Sequence, residues 1–166
     1  LEENYRDLHE FFTNQLHTWQ QLQQALQHFD KNRLVLEKDE EARQALAELI
    51  AIESTPAPYG KLHKVAGLVS TVEGVNNHIL DEKRQHAIER VEAKITLLQE
   101  DIQKSGIGTA ELSNRLLRPL QVVKSDLESE TSIADIYMLQ TEIATERYDD
   151  ALDELNLAIQ EELELQ

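Results

Sequence analysis

The sequence predicts an all-α protein whose long amphipathic helices form an elongated helical bundle or coiled-coil hairpin. Three observations carry this. Apolar residues recur at steps of three and four over most of the chain, the spacing that keeps one face of a helix dry. Glycine (5) and proline (3) are sparse among 166 residues, so few positions stop a helix. Charged residues make up 29% of the chain and Glu, Gln, Leu and Ala dominate, as in long helices with solvated outer faces.

The whole chain, 1–166, reads as one helical domain or fragment with four helical stretches. The first covers about 1–54, which lacks glycine and proline. Tyr5, Leu8, Phe12, Trp19, Leu22, Leu26 and Phe29 alternate by three and four there, with Gln15 filling the one missing place, which is a heptad seam. The seam weakens at Asp30–Lys31–Asn32, since Asp and Asn favour turns over helix interiors. It resumes at Leu34 and Leu36 and strengthens at Ala42, Leu46, Leu49 and Ile50. One helix, or two with a break near residue 31, both fit.

The segment STPAPYG, Ser54 to Gly60, ends this stretch, because each proline forces its predecessor into extended backbone. The second stretch covers about 61–104. Leu62, Val65, Val69, Val72 and Ile79 mark one seam, with Asn76 on it; Ile88, Val91, Ile95, Leu98 and Ile102 mark another. The two share no heptad frame, so the buried face is expected to shift across Asp81 to His86. Gly67 and Gly74 fall on one face and suggest another helix packed closely there. The glycines of SGIG, Ser105 to Gly108, form the expected C-terminal stop.

The third stretch, 109–130, carries Leu112, Leu116, Leu120, Val123 and Leu127, with Pro119 in its midst. A proline there removes a donor and crowds the carbonyl of Arg115. Either the helix kinks at Pro119, the arrangement favoured here, or a helix ends near Leu117 and another starts with the proline in its first turn. The fourth, 133–164, opens with Ser132 as N-cap and Asp135 three residues on, a carboxylate variant of the capping box. Its seam is Ile136, Leu139, Ile143, Tyr148, Leu152, Leu155, Ile159 and Leu163. The acidic EELE near its end opposes the helix dipole.

Charge and composition exclude several function classes. Net charge is −16, distributed as −6 over residues 1–55, zero over 56–105 and −10 over 106–166. A field of that sign repels phosphate backbones, so no direct nucleic-acid ligand is expected. No apolar run approaches the length of a membrane span, so no membrane partner is expected either. The absence of cysteine removes disulfides, thiolate chemistry and cysteine-based metal sites, and agrees with a reducing cytosol. Beginning at leucine with no signal-peptide pattern, the chain reads as a piece of a longer one.

No motif carries chemistry. The phosphate-cradling GxxxxGK[ST] pattern is absent, and the SGIG glycines lie between helices with no lysine to hold phosphate. His9, His17, His28, His63, His78 and His86 never pair at a ligand spacing of three or four, and HExxH and ExxH are both missing. Carboxylate pairs one turn apart, such as Glu37/Glu41 and Asp149/Asp153, repel mildly on a helix surface. No GxSxG turn presents a nucleophile. The catalytic, cofactor-binding and metal sets are therefore all empty, and the fragment is expected to be no enzyme. Tyr5, Phe12, Trp19 and Phe29 share one stripe; it is expected to be core, the alternative being a partner-binding face.

Several segments together resemble a known family. NRLVLEKD, PYGKLHKVAGLVSTVEGVN and LSNRLLRPLQVVKSDLESETSIADI, with the helices around them, resemble the C-terminal helical region of the large P-loop ATPases of BREX phage-defence systems (BrxC or PglY type). The resemblance covers nearly the whole chain and rests on packing residues in order, not on catalytic motifs. It implies a bacterial, cytoplasmic antiviral-defence complex that restricts phage while marking host DNA by methylation. It also implies that ATP and Mg belong to a P-loop module absent from this chain. On that resemblance the fragment is a non-catalytic assembly region, coupling the ATPase to itself or to other BREX components. The alternatives are a ligand- or metal-sensing helical bundle, suggested by the histidines and Asn76, and a DNA-contacting arm through Lys61, Lys64, Lys83 and Arg84.

Overall fold

The computed structural model of the protein describes residues 2–55 and 60–165. Helices account for nearly all of them, with no strand among the described residues. The order is α1 (Glu2–Asp30), α2 (Arg33–Leu36), α3 (Glu40–Ser54), a 3₁₀ turn (Leu62–Lys64), α4 (Val65–Ser105), α5 (Ala110–Ser129), α6 (Ile133–Met138), a π-helical turn (Leu139–Ile143) and α7 (Ala144–Leu165). None of the described helices is long and apolar enough to cross a membrane. The prolines of the STPAPYG break lie outside the described residues; α3 ends just before them, at Ser54. The chain divides into two compact units, Leu1–Ile79 and Leu80–Gln166.

In the first unit the stretch 1–54 is not one helix. It stops at Asp30, takes a single turn as α2, and restarts at Glu40, where the Asp39 carboxylate accepts from the Ala42 amide at 2.9 Å. That N-cap satisfies an amide with no partner inside the helix. Leu22 and Phe29 of α1 then pack with Leu36, with Ala42, Leu46 and Leu49 of α3, and with Leu62, Val65 and Val72 beyond it. Burying each large apolar side chain of this set contributes about 1.5–3 kcal/mol. Leu34, expected on the seam, is exposed instead. In a one-turn helix it lies about 200° round from the buried Leu36, so the two cannot share a face.

Along α4 the buried positions are Val65, Val72, Asn76, Leu80, Ala87, Val91, Leu98 and Ile102. Spacings of four in succession (72, 76, 80) break the heptad, which carries the buried face round the helix and accounts for the unshared frames. Ile88 and Ile95 are half-buried, and Ala87 takes the central place in their stead. The close packing expected at Gly67 and Gly74 is absent: both are exposed, and a Cβ added at either meets nothing within 4 Å. They stand two residues past the buried Val65 and Val72, hence on the opposite side of the helix.

The second unit packs the remainder of α4 with α5, α6 and α7. Gly106 ends α4 at φ +73°, the left-handed conformation that favours glycine. The Thr109 hydroxyl then accepts from the Leu112 amide and opens α5. This helix runs unbroken through Pro119, so the two-helix arrangement does not occur; Leu116, Leu117, Leu120, Val123 and Leu127 are its buried residues. Ser132 caps α6 as expected, accepting from the Asp135 amide at 3.4 Å. The return bond comes from elsewhere: the Glu130 carboxylate accepts from the amides of Thr131 and Ser132, each at 3.0 Å. The fourth stretch is divided by the π turn, an irregularity its sequence did not announce. Beyond Leu155 the expected seam fades, and Leu163 is exposed.

Candidate functional site

Among the described residues of the first unit, the exposed large apolar side chains cluster on the first half of α1. Tyr5 is 78% exposed, Leu8 56%, Phe12 57%, and the flanking Phe11 and Leu16 are 49% and 57%. One turn further on Trp19 is half-buried, and Leu22 and Phe29 lie in the core. The expected core stripe of Tyr5, Phe12, Trp19 and Phe29 therefore holds only at its C-terminal end; Tyr5 and Phe12 face outward.

Helix lengths explain the division. α1 has 29 residues, about 43 Å at 1.5 Å per residue, whereas α3 has 15, about 22 Å. A helix half as long covers only half the seam. Seam and flank positions alike are apolar in the uncovered half. Phe11 and Leu16 were missed because only the a and d places were read; their positions at g and e were the available signal. Phe11 and Phe12 meet edge to face, with ring centroids 5.6 Å apart. The nearby hydroxyls are satisfied on the helix itself, Thr13 donating to the His9 carbonyl at 2.7 Å and Thr18 to the Asn14 carbonyl at 2.9 Å. Gln15, which interrupts the seam, holds a buried Oε1 without a hydrogen-bond donor.

In the second unit a groove of about 810 Å³ lies along α5, the π turn and α7. Pro119, Val122, Leu139 and Ile143 line it, with Arg115 and Arg147 beside them. Arg115 is held by Glu154 at 2.9 Å. The proline and the π turn thus line one space.

The remaining candidates do not converge. All six histidines are exposed, and no group of three or more His, Cys, Asp or Glu suited to a metal occurs among the described residues. Glu37 is bonded to Arg33 at 2.8 Å, a contact that raises the arginine's pKa, and Asp149 and Asp153 lie exposed on α7. Of the basic set Lys61, Lys64, Lys83 and Arg84, the last is committed internally. Its Nε donates to the Leu127 carbonyl at 3.1 Å and its Nη2 to that of Glu130 at 2.6 Å. No protein-family model matches the chain, and no solved structure matches it at a significant level.

Proposed function

We propose that this chain is a helical interaction module, with no reacting groups of its own, that holds a larger protein assembly together. The observation that carries the reading is the apolar stripe from Tyr5 to Leu16, which the first unit leaves uncovered. Contiguous exposed apolar surface of this kind is characteristic of interaction sites. The resemblance of the NRLVLEKD, PYGKLHKVAGLVSTVEGVN and LSNRLLRPLQVVKSDLESETSIADI segments supports a specific setting, the assembly region of a BREX-type ATPase in the bacterial cytoplasm. There the ATP and Mg chemistry belongs to the P-loop module of the parent protein. This region couples the ATPase to itself or to another BREX component.

The reading is tested by deleting residues 1–166 from the parent protein. Loss of native mass on a sizing column beyond the 19.1 kDa removed per copy, together with loss of phage restriction, is expected. A deleted parent that assembles and restricts phage as before overturns it.

A further inference from the structure

We propose that the uncovered half of α1 pairs antiparallel with the same half-helix of a second copy of this chain; the inference rests on the interaction-module reading and names its partner. Four features of α1 lead there. The first is charge. From Asn4 to Trp19 the seam and flank positions are Asn4, Tyr5, Leu8, His9, Phe11, Phe12, Gln15, Leu16, Thr18 and Trp19, with no carboxylate among them. Glu3, Arg6, Asp7 and Glu10 occupy the outer positions, and Glu2, on the flank, lies just before this span. A chain of net charge −16 repels its own copies almost everywhere, so a face clear of carboxylates is what self-pairing requires. An interface for a basic partner would carry acids at its rim instead.

The second feature is extent. With exposures between 49% and 78%, the five large side chains present roughly 600 Å² per copy, taking about 200 Å² for each side chain. Two copies bury at most about 1,200 Å² in all, the lower bound for a specific interface, and this implies a dimer in reversible exchange.

The third feature fixes direction. From Leu22 onward the seam of α1 is occupied by its own unit. A parallel partner would run its helix beside that occupied seam and drive the two bodies together. An antiparallel partner overlaps only the free halves and leaves the bodies at opposite ends. The fourth is register. Centring the pair on residue 10 sets Leu8 of each copy against Phe12 of the other and Tyr5 against Gln15. It also brings the two Phe11 rings together on one flank. This register covers the whole exposed segment with an a-to-d pairing, and the interface is isologous, as a two-fold dimer demands.

Sedimentation velocity of the 166-residue chain, over a range of about 1–300 µM, is expected to show a monomer–dimer equilibrium obeying mass action. Leu8→Glu with Phe12→Glu is expected to be monomeric throughout, with unchanged far-ultraviolet dichroism and, at concentrations where the unaltered chain is also monomeric, an unchanged urea midpoint. The chain has no cysteine, so direction can be read by cross-linking. An equimolar mixture of L8C and F12C chains is expected to form the mixed disulfide dimer, with little dimer from either chain alone. A monomer at every concentration overturns the proposal, as does a dimer that survives the double substitution. Homodisulfides forming within each single variant, the parallel signature, also overturn it, as does binding of the stripe to phosphatidylcholine vesicles in place of dimerisation. Such a failure is separate from failure of the parent reading, because the deletion experiment measures assembly whatever covers α1.

Discussion

The side-chain amide of Asn32 donates to the side-chain carbonyl of Asn76 at 3.0 Å, and each residue is only 2% exposed. The two are 44 residues apart in sequence and join the turn after α1 to the first third of α4. Removing one partner strands a buried polar group, at a cost of about 1–3 kcal/mol. Asn76→Ala is therefore expected to lower the urea midpoint, and Asn32→Ala likewise. The double variant should lose less than the two single losses combined, since neither amide is then left to be desolvated alone. A double-mutant cycle by urea denaturation checks this; strict additivity would contradict the pairing.

Arg84 forms the corresponding tie in the second unit. Besides the carbonyls of Leu127 and Glu130 at the end of α5, its Nη1 reaches Asp81 at 3.1 Å. A cation at a helix C-terminus also complements the dipole. Arg84→Ala is expected to destabilise the protein by about 2–3 kcal/mol, given about 1.5–3 kcal/mol for a hydrogen bond to a charged group. Arg84→Lys should recover only a minority of that, since an ammonium cannot reproduce the planar fork. Thermal denaturation monitored by circular dichroism distinguishes the two variants.

The glycines divide into two kinds. Gly67→Ala and Gly74→Ala should each stabilise α4 by about 0.5–1 kcal/mol, because both positions face open space inside a helix. Gly108→Ala should destabilise: its Cβ would sit 2.7 Å from Ile102 Cγ2 and 3.3 Å from the Ile102 carbonyl. Opposite signs in the urea midpoint are the expected outcome.

Tyr148 supplies a pH dependence. Desolvation first, then Asp101 and Asp149, raises its phenol above the ordinary value of 10.0. The neutral form is thus favoured in the fold. Its contribution is present below pH 10 and is lost as the pH rises through the raised value. Lys94, whose Nζ lies 5.3 Å from the ring centroid, packs over the same side chain. Tyr148→Phe should flatten the alkaline fall in stability from about pH 10 upward while leaving neutral stability nearly unchanged. Urea midpoints across that range measure it.

Much of this architecture was legible because local signals and packing agree. Asp30 and Asn32 are poor helix formers and the helix ends there; Ser132 and Gly106 act as their residue types suggest. Seam residues such as Leu22, Val91, Leu98, Leu120 and Leu155 are buried where heptad spacing places them. What was not legible depends on length and on neighbours. Whether Tyr5 and Phe12 are core turns on how far α3 reaches, a property of a different segment. Gly67 and Gly74 share a face in the sequence, but which face is decided by the residues packed against α4. The π turn at Leu139–Ile143 shifts the phase of a seam whose sequence reads as regular. The α1 stripe was legible as a pattern, and its exposure only from the structure.

The central claim is that this chain works by being bound, through the free half of α1. The most direct measurement is the native mass of the parent protein carrying Leu8→Glu and Phe12→Glu, compared with the unaltered parent in the same buffer. The account predicts a smaller assembly for the doubly substituted protein, with helix content preserved. An assembly of unchanged mass would contradict it.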